Sequence, residues 1–172
     1  MLALPSRSCV TASFEYALMS SKIDVTVAAI IERDDKFLIV EERVAGKRVF
    51  NQPAGHLEPG ETLAEAVIRE VREETGFEFR PQAIVGVFLL QQPERSYLRV
   101  TFSGPAEPPA DEPRLDLGII ATHWLSRLEL VNRSLRSALV LQCIDAHLAG
   151  ARYPLDLVVE LLAEQASIAK LA

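Results

Sequence analysis

From residue 24 onward the chain sets short β-branched apolar runs between turn residues, and once it changes to a helical period. Residues 25–31 and 36–40 read as strands, with Asp34 and Asp35 as the turn between them. Ala45, Gly46 and Lys47 form a second turn before Val49 and Phe50. Residues 83–90 and 97–102 read as strands around Pro93 and Glu94, and 119–125 as a further strand. Residues 104–113 carry four prolines and read as a loop. The helical period falls behind the Pro59-Gly60 turn. Thr62 and Glu65 have capping-box spacing, Ala64, Val67, Ile68 and Val71 form an apolar stripe, and Gly76 stands where a helix C′ glycine would. Residues 127–131 read as a short helix, 134–149 as a helix ended by Gly150, and 155–171 as another. No internal repeat is visible. This mixture predicts an α/β domain with helices packed on both sides of a mixed sheet.

The polar side of the helix behind Gly60 carries the chemistry. Glu70, Glu73 and Glu74 fall at i, i+3 and i+4, clustered roughly 120° around the helix from the apolar stripe. Like charges at that spacing repel and cost helix stability, so something cationic is expected among them. Arg69, four residues before Glu73, can pair with it. A hard cation is the other answer: Mg²⁺ or Mn²⁺ prefers oxygen ligands and often bridges protein carboxylates to substrate phosphates. A solvated acidic surface helix is the bland alternative. It leaves the clustering on one face and the preceding glycine loop unexplained.

Gly55, Glu61, Arg69, Glu70, Val71, Glu73, Glu74, Gly76 and Phe77 match every specified position of the Nudix box, and the chain resembles the Nudix hydrolase family. The flanking Asn51–Glu58 run, Leu135-Arg136-Ser137 and Arg152-Tyr153-Pro154-Leu155 look like the NudJ-type phosphatase branch, over residues 23–158. The resemblance implies a Nudix-type α/β/α sandwich with a mixed β-sheet. It also implies hydrolysis of nucleoside tri- and diphosphates with release of orthophosphate, and action on the pyrophosphate of hydroxymethylpyrimidine. Glu70 and Glu74 would hold Mg²⁺ or Mn²⁺, with a backbone carbonyl of Gly55 or Ala54 as a further ligand. Glu73 would bind a second metal or activate water. Glu61 and Arg69 are read as orienting residues. A Nudix pyrophosphatase of ADP-ribose or dinucleoside polyphosphates is the alternative within the family. A non-catalytic nucleotide-binding module is the alternative outside it, and the intact acidic positions argue against that.

Other residues are weighed against ordinary structural roles. His56 is set to touch a phosphate or to brace the loop. Glu112 and Asp116 are candidates for an acid that completes the site from a later loop, and Asp111 is a weaker one. Arg43, Lys47 and Arg48 either hold a terminal phosphate or sit on a solvated turn. Phe50 and Tyr97 either stack on a base or fill the core. Arg136, Arg152 and Tyr153 either line the pocket or tie down the C-terminal helices. Trp124 is read as core, and His123 and His147 as structural or solvent-facing.

Composition narrows the partners. The 172 residues suit one domain, and 49% hydrophobic residues supply a core. A net charge of −6 without a basic block argues against an extended nucleic-acid surface, while a metal-neutralised nucleotide or pyrimidine di- or triphosphate remains compatible. No apolar run has membrane-spanning length. Cys9 and Cys143 lack metal-ligand spacing, which suggests a reducing, cytoplasmic setting, and Cys143 reads as a small helix residue. The domain is expected over residues 23–172, as a monomer or homodimer. Residues 1–22 form an extension that makes a poor signal peptide. It is either a disordered or misassigned start, with Met19 as the initiator, or a segment that packs on the domain or a partner. Intact mass of the native protein separates the two.

Overall fold

The computed structural model describes residues 22–93 and 95–161. Residues 1–21 of the expected N-terminal extension, Cys9 among them, and residues 162–171 of the expected last helix lie outside the described residues, while Lys22 already belongs to the first strand. In chain order the elements are β1 (Lys22–Ile30), β2 (Glu32–Arg33), β3 (Lys36–Val44), β4 (Lys47–Asn51), β5 (Ala54–His56), α1 (Leu63–Thr75), β6 (Glu78–Phe79), β7 (Ala83–Leu90), β8 (Arg95–Ser103), β9 (Ala106–Glu107), β10 (Ile119–Leu125), α2 (Arg127–Val131) and α3 (Leu139–Leu148).

A mixed sheet, ordered β5-β1-β8-β7, carries the site. Its central pair, β1 and β8, is parallel and the flanking pairs are antiparallel. Side chains alternate across a strand, so β1 and β8 each serve two cores. Val27, Ala29, Val100 and Phe102 face α1 through its Leu63, Ala66, Val67 and Val71. Ile30, with Val85 of β7, packs toward Leu139, Val140, Cys143 and Ile144 of α3. The result is the α/β/α sandwich that the alternation of elements predicts. A second antiparallel sheet, centred on β3 between β4 and β10, closes one end. The Asp34-Asp35 and Ala45-Gly46 turns both place two consecutive residues at positive φ, the hairpin geometry that matches strand twist.

Helix α1 begins with a full capping box between Thr62 and Glu65 and ends with Gly76 at φ 74. Its buried stripe is Leu63, Ala66, Val67 and Val71. It is rotated slightly from the expected one, leaving Ala64 only half-buried.

Two predicted helices are corrected. Helix α3 starts at Leu139, not at residue 134. Residues 134–136 run extended beside β4, where the Phe50 N–H donates to the Ser134 carbonyl (2.9 Å) and the Arg136 N–H to the Phe50 carbonyl (2.9 Å). Pairing with a strand there outweighs local helix propensity, which is a weak prior. After Gly150 the described residues pair Tyr153 with Ile84 of β7 and, through residue 161, make a 3-10 turn at Leu155–Leu157 in place of the start of the predicted helix. The expected loop at 104–113 contains one short strand, β9. Among the described residues, no helix is long and apolar enough to cross a membrane.

Candidate active site

A cleft of about 510 Å³ opens between the end of α1, the mixed sheet and the segment leading into α3. Gly55, on edge strand β5, lets α1 approach, because a side chain there would run into the Glu70 carboxylate. Glu70 and Glu74, one turn apart on α1, both enter the cleft. Glu74 accepts a hydrogen bond from the Ala54 N–H at 2.8 Å. Burial pushes its carboxyl up to about 8, helped by the nearby charges of Glu70, Glu42 and Asp116 and opposed by the Ala54 N–H. Burial also raises Glu70, against the pull of Arg69.

Glu73 is placed differently from its two neighbours. Its side chain is 41% exposed and does not line the cleft. Arg69 pairs with two of the three acids, Glu70 and Glu73, and not with Glu74. Its Nη1 donates to Glu70 (2.7 Å) and Glu73 (3.1 Å), while its Nε and Nη2 grip Glu61 (3.0 and 2.7 Å). Nη2 also reaches the His56 carbonyl at 3.0 Å, which ties the glycine loop to the helix. Glu61 in turn accepts from the Glu58 N–H at 2.7 Å. Among the described residues, no three His, Cys, Asp or Glu side chains form a ready-made metal cage.

The donor set nevertheless fits a hard cation. Glu42 on β3 lines the same cleft, and its buried Oε1 has no hydrogen-bond partner among the described residues. Burial raises Glu42, against the Arg136 guanidinium 3.8 Å away. Three carboxylates thus share a partly dry space, and each offers oxygen ligands, as Mg²⁺ or Mn²⁺ requires.

The remaining predicted residues divide. His56, Tyr97 and Arg136 line the cleft. Asp116 lies near it, its N–H donating to the Glu73 carbonyl at 3.0 Å, whereas Glu112 stays exposed in its loop. Phe50 does not reach the cleft: it is 9% exposed, packs into the α3 core and has Arg133 over its ring. Arg48 points to solvent and pairs with Glu41 at 3.1 Å. Arg152 lines a separate cavity of about 470 Å³ with Glu32 and His147, spending its guanidinium on the His147 and Ala151 carbonyls. Tyr153 is held by the backbone pairing with Ile84. These four were drawn to the site by sequence proximity or family likeness, and strand pairing and core packing place them elsewhere. Sequence reading missed Glu42, Asn51, Thr26 and Arg99. The available signal was a charged residue inside an otherwise apolar strand, as at Arg99 in Leu98-Arg99-Val100.

A glycine-anchored helix thus delivers carboxylates to the end of a mixed sheet, an arrangement suited to a metal-assisted hydrolase. The chain belongs to the Nudix hydrolase family: the NUDIX domain family model matches residues 22–140. It is 40% identical over 139 residues to "Phosphatase NudJ" of Escherichia coli K12, covering 80% of this chain and 91% of that protein. Among solved structures it is similar to a NUDIX hydrolase from Nitrosomonas europaea, with TM-score 0.75 and 44% identity over 81% of this chain and 97% of that one. It is also similar to the E. coli ORF135 protein, with TM-score 0.63 and 27% identity over 77% of this chain and 93% of that one.

Proposed function

We propose that this protein is a Mg²⁺- or Mn²⁺-dependent phosphatase of the NudJ kind. Its substrates would be nucleoside tri- and diphosphates, cut with release of orthophosphate, and hydroxymethylpyrimidine pyrophosphate. One observation carries the reading: a single cleft sets Glu70, Glu74 and Glu42 against the guanidinium of Arg136. The carboxylates suit a cation, and the guanidinium, 3.8 Å from Glu42, suits phosphate oxygens. The likeness to Phosphatase NudJ over most of both chains supports the same substrate class.

Glu70 and Glu74 would hold the ion, with Glu42 beside them and the Gly55 or Ala54 carbonyl within the same loop. When bound, the ion neutralises phosphate oxygens and makes water more acidic. Glu73, at the exposed rim, is the residue to take a proton from water or to hold a second ion. Arg69 and Glu61 position these acids rather than touch the substrate. His56, on the cleft wall, is placed to meet a phosphate oxygen.

A panel of nucleoside tri- and diphosphates, hydroxymethylpyrimidine pyrophosphate, ADP-ribose and dinucleoside polyphosphates, scored by product with and without Mg²⁺, tests the proposal. Orthophosphate release only with metal is expected. Cleavage of ADP-ribose into two monophosphates would instead favour the pyrophosphatase alternative. Glu73→Gln and Glu74→Gln should each lower turnover by orders of magnitude without unfolding the protein, since a single essential acid or base contributes about 10²–10⁴-fold. Full activity in both variants would remove the site assignment.

A further inference from the structure

The floor of the cleft holds a buried cation that no carboxylate among the described residues pairs with directly. Arg99 sits at the middle of β8 and is 8% exposed, yet its Nε and Nη1 have no hydrogen-bond partner among the described residues. Thr26 of β1, its direct neighbour in the parallel register, also carries a buried hydroxyl without a partner. Burial pulls the Arg99 pKa below the ordinary arginine value, with the charges of Glu74 and Glu42 acting against that. A guanidinium remains protonated even so. Leaving one buried and unpaired costs several kcal/mol, so folded chains rarely keep one without a use.

The strand register shows what approaches it. Residues two apart on β8 share a face. Tyr97, Arg99 and Thr101 therefore point toward the same side, paired across to Asp24, Thr26 and Ala28. Exposure falls along that row. Tyr97 is half-buried at the mouth with Leu90 opposite it, Arg99 is buried, and Thr101 is fully buried against Cys143 of α3 at 3.2 Å. The row thus runs from Tyr97 and Leu90 at the outer end to a closed, cationic floor at Arg99.

We propose that Arg99 is the terminal-phosphate subsite. Its guanidinium, which lines the cleft and has donors left unused by the fold, would give charged hydrogen bonds to the oxygens of one phosphate, with the ring of the substrate left outside beside Tyr97 and Leu90. A chain that ends in a free phosphate fits this arrangement. A pyrophosphate capped by groups at both ends does not, because Thr101 and α3 close the space beyond Arg99. The inference rests on the phosphatase reading for its substrate class and can be tested apart from it.

The test uses the full chain with Arg99→Met and Arg99→Lys. In metal-free buffer, inorganic phosphate should raise the melting temperature of the wild type. It should not raise that of Arg99→Met, and Arg99→Lys should keep a reduced response, since lysine keeps the charge but lacks the planar guanidinium. Without phosphate, Arg99→Met should melt at or above the wild-type temperature, because an unpaired buried cation has been replaced by an apolar side chain. In steady state with Mg²⁺, Arg99→Met should lose on the order of 10²-fold in kcat/KM for a nucleoside triphosphate, the worth of two charged hydrogen bonds. A wild type that ignores phosphate overturns the inference. So does an Arg99→Met protein with an undiminished phosphate response, or with a ligand-free melting temperature lowered by several degrees, which would mean that the fold itself pairs Arg99. A wild type that binds phosphate through Arg99 but hydrolyses nothing would support the subsite and overturn the phosphatase reading instead.

Discussion

Replacing Gly55 by alanine tests the central contact of the site. Gly55 is paired with Val27 on the edge of the mixed sheet, and a β-carbon built on it would lie 2.1 Å from the carboxyl carbon of Glu70. Unstrained carbon contacts begin near ~3.5 Å, so one of the two must retreat by more than about 1 Å. The strand is held by its ladder, and α1 by Val67 and Val71, both 0% exposed. The flexible Glu70 side chain is what gives. Its retreat weakens the 2.7 Å ion pair with Arg69, a loss of about 1–2 kcal/mol for a partly buried charged contact. The protein should therefore fold, with a modestly lower urea midpoint. Turnover should fall by about 10²-fold, the usual consequence of a ~1 Å misplacement in a catalytic group. Steady-state hydrolysis at saturating Mg²⁺ measures this. The decisive assay adds Glu70→Gln: if Gly55→Ala acts through Glu70, the double variant should be little worse than Glu70→Gln alone. Wild-type kcat/KM in Gly55→Ala, or fully additive losses in the double variant, would refute the reasoning.

Two other expectations follow from the same geometry. Arg69→Gln removes the guanidinium that joins Glu61, Glu70 and Glu73; metal-free stability should drop by about 2–3 kcal/mol, and Mg²⁺ should stabilise the variant more than the wild type. Urea unfolding in chelator and in Mg²⁺ checks both, and unchanged metal-free stability would contradict the role given to Arg69. His147 is buried, which pulls its pKa below the ordinary value, against its hydrogen bond to the Glu32 carboxylate at 2.8 Å. As pH falls through about 6.5 the unfolded chain takes up a proton that the folded one resists, so stability is lost on the acidic side of that value. His147→Gln should flatten the stability profile between about pH 7.5 and pH 5.5, and an identical slope in both proteins would count against this.

The elements that came through intact were those whose signals are local. The capping box at Thr62, the glycine at 76, the alternating strands and the aspartate turn at 34–35 each rest on interactions within a few residues. The clustering of Glu70, Glu73 and Glu74 on the polar side of a helix is likewise a matter of helical period. Residues 134–138 failed because their fate was set from outside, by hydrogen bonds to Phe50 more than eighty residues earlier. That exchange of helix for extended chain is also what carries Arg136 to the cleft wall.

A capped, amphipathic helix with an acidic edge behind a glycine loop is written into the residues themselves, because backbone dihedrals and periodicity settle such features locally. Only the tertiary structure decided which acids look inward. Glu70 and Glu74 enter the cleft, Glu73 stays on the rim with Arg69, and Glu42 arrives from a different sheet. It alone placed Arg99 at the floor and moved Phe50 and Arg152 away. These outcomes depend on strand register and on the closeness of the α1 and β5 backbones at Gly55. Both are set by long-range pairing and packing, which no short window of residues records.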